Sequence, residues 1–214
     1  PTPIRLELFP RHADFSVRTL GLTGLGALGV AFGSVLVMDS PSALERGEFN
    51  WGSTLWHELA HAFHLGMSAN RVPRWFSEGL AVHEQRSGRP GWGHPATLSF
   101  MAAYRDGKLA PASDLNRGFM RPDYPEEVIH SYFLASLVFA WMDQEHGKDA
   151  AIRMLRGYGE GIDTETLIRG VLGLDLEAFD RAIDEYVRTR YAAAFRSTSP
   201  VDDAPPRNAS LAAV

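Results

Sequence analysis

Cysteine is absent from this chain of 214 residues, which excludes disulfides, cysteine-ligated zinc fingers and thiol catalysis. An excess of positive charge is missing too. Lys and Arg number 21 against 26 Asp and Glu, a formal net charge of −5, whereas a nucleic-acid partner would favour a basic face. Long apolar runs are scarce. The uncharged stretch TLGLTGLGALGVAFGSVLV (19–37) carries five glycines and breaks into short pieces, so it reads as loop and strand and predicts no membrane insertion by this domain. Residues 1–18 place Glu7 and Asp14 among arginines, which is unlike a signal peptide. No repeat of helical-array length is visible, and no paired Ser/His/Asp grouping implies a catalytic triad. Without a targeting signal the compartment stays open between cytoplasm and periplasm. The opening Pro-Thr-Pro, without methionine, reads as the start of a domain excised from a longer parent.

What is present is a hydrophobic content of 45%, enough for a sizeable core. The length suits one domain over 1–195, with a small, polar, proline-bearing tail or linker over 196–214. PIRLELF (3–9) alternates Ile4, Leu6 and Leu8 with Arg5 and Glu7, the period-2 pattern of a half-buried strand. A short helix over 15–20, capped by Asp14, is expected after it. ALGVAFG (27–33) and SVLVMDS (34–40) read as two more strands, the first glycine-rich and at an edge. Ser53 is a plausible N-cap for a helix ending at Gly66, and Pro73 starts another reaching about Gln85. Beyond these the pattern is helical over about 96–106, 127–146, 148–158, 163–172 and 175–194, with Asp163 and Asp175 as caps. The expected class is α+β: a small N-terminal sheet, two central helices and a mainly helical C-terminal half.

The first central helix carries WHELAHAFH (56–64). Successive helical residues turn about 100°, so His57 and His61, four apart, aim their imidazoles at one point. Glu58 sits one step round, able to face a metal-bound water without ligating the metal. That is the physical content of an HExxH motif, two neutral ligands and an adjacent base. A catalytic zinc site needs a third protein ligand and an open fourth position. Glu78 lies 17 residues after His61, inside the next helix and between apolar neighbours, where a buried carboxylate needs a partner. A helix, a turn and a second helix bring it back beside the first. His64 lies roughly 10 Å along the axis from His57, too far for the same ion. His83 and Glu84 are candidates to orient a ligand imidazole.

HELAH followed by PRWFSEGLAVHE resembles the gluzincin metallopeptidases, the HExxH group whose third ligand is a glutamate in a following helix. More closely, the chain is similar to the bacterial peptidase MA-like domains of tetratricopeptide-repeat proteins. HADFSVRTLG, GALGVAFG, MDSPS, FNWGSTLWHELAH, VPRWFSEGL, LNRGFMRPDYP and SYFLAS carry that resemblance, over residues 3 to about 190. It implies a zincin-like fold, one Zn2+ per chain on His57, His61 and Glu78, and Glu58 as general base in peptide hydrolysis. It also implies flanking helical repeats in the parent chain and a peptide or protein substrate. Because related enzymes place a tyrosine or histidine on a later helix to hold the oxyanion, Tyr132 is the expected donor, with His130 as alternative and Tyr124 as a weaker candidate.

The chain departs from one such pattern. GALGV replaces the GxMEN-like motif that anchors a substrate amine in gluzincin aminopeptidases, which favours an endopeptidase or an enzyme with another N-terminal requirement. Two other readings share these residues: a hydrolase of non-peptide amides, and a catalytically silent scaffold or recognition module. Retention of Glu58 beside the ligands argues against the silent module.

Overall fold

The structure is a computed structural model that describes residues 3–24 and 26–198. It is α+β, with a three-stranded sheet and a mostly helical remainder. Strand β1 (Arg5–Phe9) leads into α1 (His12–Leu20), and β2 (Gly29–Phe32) and β3 (Val35–Asp39) come next as a hairpin. The sheet order is β1-β3-β2, with β1 parallel and β2 antiparallel to the central β3. β2 is an edge strand, as the glycine-rich segment 27–33 suggests. Asp14 does not cap α1: Arg11 is the N-cap and Asp14 lies in the first turn, paired with Arg11 at 2.7 Å.

β1 is not half-buried. Leu6 and Leu8 share a face with their register partners Leu36 and Met38, each only 1% exposed, yet they are themselves 42% and 48% exposed. The physical reason is position. Helix α2 (Trp51–Met67) packs on β2 and β3, so β1 overhangs it.

Helix α2 starts earlier than its sequence suggests, because Asn50 is the cap and its side chain accepts from the Ser53 N–H at 3.1 Å. It also runs past Gly66 to Met67. Helix α3 (Arg74–Gly88) begins after Pro73 and lies against α6 (Glu127–His146), which is buried over most of its surface and forms the centre of the core. The two backbones approach closely where a Cβ on Gly79 would come within 2.6 Å of the Ala135 Cβ. Between them lie α4 (Leu98–Arg105), a 3-10 turn (Ala112–Asp114) and α5 (Leu115–Met120). The last two are not expected from the sequence pattern, since six residues containing Gly118 offer no helical period.

Helices α7 (Asp149–Gly159), α8 (Thr164–Leu167) with a π turn over Ile168–Leu172, and α9 (Leu176–Arg190) close the core. Asp163 and Asp175 cap α8 and α9 through their side chains. The expected helix over 175–194 breaks at Tyr191, and α10 (Ala192–Thr198) continues past residue 195, where the sequence places the start of the tail. The rest of that tail, 199–214, lies outside the described residues. No helix among the described residues is long and apolar enough to cross a membrane.

Candidate metal centre

Helices α2 and α3 bring His57, His61 and Glu78 together. His57 Nε2 lies 3.0 Å from His61 Nε2, and Glu78 Oε2 lies 3.3 Å and 3.2 Å from the two nitrogens. Four-coordinate zinc with bonds of about 2.0–2.1 Å separates its ligand atoms by about 3.3 Å, so the triangle has the right size. Among the described residues it is the one grouping of this kind, and it can hold a metal ion.

The partners of these side chains fix their protonation. The Gln85 amide nitrogen donates to the Ser53 carbonyl and hydroxyl oxygens, both at 2.8 Å. A carbonyl can only accept, so Gln85 Oε1 is the atom that faces His57 Nδ1 at 3.0 Å, and Nδ1 carries the hydrogen. His57 Nε2 is left with a lone pair for the triangle. The Ser77 hydroxyl, 2.8 Å from His61 Nδ1, can serve as the matching acceptor for the second ring. With neither Nε2 protonated, two lone-pair nitrogens and a carboxylate oxygen converge, and only a proton shared with Glu78 or a metal ion can offset their repulsion. The residues therefore fit a metal.

Charge follows the same geometry. Burial opposes a charge on His57, but hydrogen bonding to Glu78 and the charges of Glu58 and Glu78 outweigh it and raise its pKa. Burial would also raise the Glu78 carboxyl, yet hydrogen bonds with His57 and His61 hold it well below the usual carboxylate range. Its second oxygen accepts from Arg74 Nε at 3.4 Å, which leaves Oε2 to the two rings.

Glu58 is 6% exposed, and its pKa is raised by burial, opposed in part by His57 and His61. It opens into the same cleft of about 770 Å3, whose opposite wall is Ala27–Ala31 of the edge-strand segment. Gly29 lies directly over it: a Cβ there would sit 2.8 Å from Glu58 Cγ and 2.9 Å from Oε1. Glycine is required by that approach.

Tyr132 lines this cleft, with its ring 6.4 Å from that of His57. Burial and then the Glu78 charge push its phenol up to about 12. His130 is elsewhere. Its Nδ1 faces Tyr124 Oη at 3.0 Å and its Nε2 faces Ser99 Oγ at 3.2 Å, and neither His130 nor Tyr124 lines the cleft. His83 pairs with Asp143 at 2.9 Å, and the Glu84 carbonyl accepts from Trp56 Nε1. Ser77 and Gln85 occupy the orienting positions that the sequence suggests for His83 and Glu84. His64 is buried with its ring 6.0 Å from that of His61.

His94 is a cleft residue that no motif or spacing points to. It sits on a loop pinned to α3, where Arg86 donates to its carbonyl at 3.1 Å, and its ring lies 5.0 Å from that of Tyr132. Burial, then the His57 charge, lowers its pKa. A Ser/His/Asp row also exists: Ser16 Oγ lies 3.3 Å from His12 Nε2, and His12 Nδ1 lies 2.7 Å from Asp39 Oδ2. Ser16 and Asp39 are fully buried, so the row ties α1 to the end of β3 and offers no accessible nucleophile. No family model, curated protein or solved structure matches the chain.

Proposed function

We propose that the chain is a zinc-dependent peptidase of gluzincin type, with a zincin-like fold, acting as an endopeptidase on extended peptide or protein segments. One observation carries this reading. Two imidazole nitrogens and a carboxylate oxygen converge in a triangle with edges of 3.0–3.3 Å, and a buried second carboxylate, Glu58, opens into the same cleft. The donor set of two histidines and a glutamate suits zinc.

Bound there, zinc would supply a Lewis acid for the scissile carbonyl and lower the pKa of water toward about 7. The chain's own residues do the rest. Glu58, its pKa raised by burial, accepts the proton of the attacking water and returns it to the departing amine. Tyr132 keeps its phenolic hydrogen and donates to the carbonyl oxygen as negative charge develops there. The outer edge of β2 offers peptide groups to an extended substrate, and the glycine over Glu58 allows close approach. A parent protein with flanking helical repeats belongs to the same proposal.

The test is metal analysis of purified protein together with cleavage of a diverse peptide library, run beside Glu58→Gln. One zinc per chain, with cleavage by the wild type alone, is the expected result. Zinc without cleavage by the wild type would transfer the site to a silent recognition module. Failure to bind any divalent metal would overturn the proposal.

A further inference from the structure

The second edge of the sheet, along β1, carries a pattern that catalysis does not use. Ile4, Leu6 and Leu8 form an apolar shelf, 41%, 42% and 48% exposed. Between them, on the opposite face, stand Arg5 and Glu7, whose side chains are 73% and 47% exposed. Among the described residues no backbone group bonds to this outer edge. The inner edge is satisfied: Arg5 N–H donates to the Ser34 carbonyl and the Phe9 carbonyl accepts from Ser40 N–H, both at 2.8 Å. Residues 5, 7 and 9 therefore aim their peptide groups at β3. Peptide groups alternate along a strand, so those of Ile4, Leu6 and Leu8 aim outward. Natural edge strands are commonly blunted by lysine, proline or a bulge, and β1 contains none of these.

We propose that β1 is a self-recognition edge whose partner is a second copy of this chain, paired antiparallel about a two-fold axis at Leu6. The sequence Ile4-Arg5-Leu6-Glu7-Leu8 is symmetric in hydropathy and opposite in charge about that point. Leu6 faces Leu6 of the second copy as a hydrogen-bonded pair, and Ile4 faces Leu8 in the same way at both ends, all with outward peptide groups. Arg5 falls opposite Glu7 of the second copy, and Glu7 opposite Arg5, at the closely spaced positions that exchange no backbone bonds, with Cα atoms about 4.5 Å apart. The outward peptide groups also allow axes at Ile4 or Leu8, but neither brings the opposite charges together. The paired sheet has the order β2-β3-β1-β1-β3-β2. Both cleft-lining β2 edges stay at the outside, and the two apolar shelves merge between the two α2 helices. The overlap is short, which places the association in the weak, transient class.

Sedimentation equilibrium of the whole chain, from micromolar to millimolar concentration, tests this without reference to metal or activity. The wild type is expected to show a monomer–dimer equilibrium. Arg5→Glu and Glu7→Arg each set like charges opposite one another and should raise the dissociation constant about tenfold or more. An equimolar mixture of the two variants should associate as a heterodimer, because its facing pairs are again opposite in sign. The double variant Arg5→Glu/Glu7→Arg should dimerise like the wild type, which guards against a single variant that merely misfolds. A wild type that stays monomeric throughout, single variants that associate unchanged, or a mixture that fails to associate would each overturn the proposal.

Discussion

Gln85 Oε1 lies 3.0 Å from His57 Nδ1 while the same amide's nitrogen is committed to the Ser53 carbonyl, so one side chain determines which imidazole nitrogen is free to bind metal. Gln85→Leu releases that constraint without touching a ligand. Its metal affinity should fall about 10–100-fold, the usual effect of losing a partner that orients a ligand. Competition against a chromophoric chelator reads this directly, and an unchanged affinity would mean that α2 alone orients the ring.

Tyr132 is predicted to act on the developing charge and to leave metal binding alone. Tyr132→Phe should keep the full metal content and lose about 10²–10³-fold in kcat, the effect of removing one oxyanion donor. If KM rises instead with kcat preserved, the phenol binds substrate and does not stabilise the transition state.

Gly29→Ala tests the close approach of the edge strand to the base. The new methyl would stand 2.8–2.9 Å from Glu58 and Thr54, so strand and carboxylate must separate. A loss of stability of about 1–3 kcal/mol is expected from the overpacking. Turnover should fall further than stability alone explains. Gly33→Ala is the wrong control, since Gly33 has φ +61°; Gly26→Ala, with open space around its Cβ position, should leave both quantities nearly unchanged.

His64 gives the fold a pH dependence of definite sign. Burial, and then the charges of His61 and His57, lower its pKa in the folded chain to about 3. In the unfolded chain it takes up a proton near pH ~6.5. Unfolding therefore binds a proton between those two values, and stability falls as pH drops through that window, by up to about 1.4 kcal/mol per pH unit. Above about pH 6.5 the contribution is fully present. Urea unfolding of metal-free protein at several pH values should show a shallower slope for His64→Leu than for the wild type. Equal slopes would mean that His64 is not held neutral.

The ligand helices are legible because their information is local. His57, Glu58 and His61 follow from helical period, and Glu78 from a carboxylate set among apolar residues. Ser77 and Gln85 escape a search for ligands, although a signal is there: Gln85 follows Glu78 by seven residues, two turns along the same face. Period also separates the two candidate donors. His130 and Tyr132 are two residues apart, about 200° round α6, so they cannot share the cleft. His94 has no such signal, since its place depends on a glycine-rich loop held by Arg86. The exposure of β1 is equally hidden, because alternation marks a strand but says nothing of how far its covering helix extends.

Gly79 stands next to Glu78 and packs so tightly on Ala135 that a single methyl would not fit between α3 and α6. Glu78 on one helix and Tyr132 on the other are therefore carried by a single rigid block. The cleft behaves like a vice with one fixed jaw, and its movable parts are the His94 loop and the sheet side, where among the described residues β2 pairs in the sheet with β3 alone.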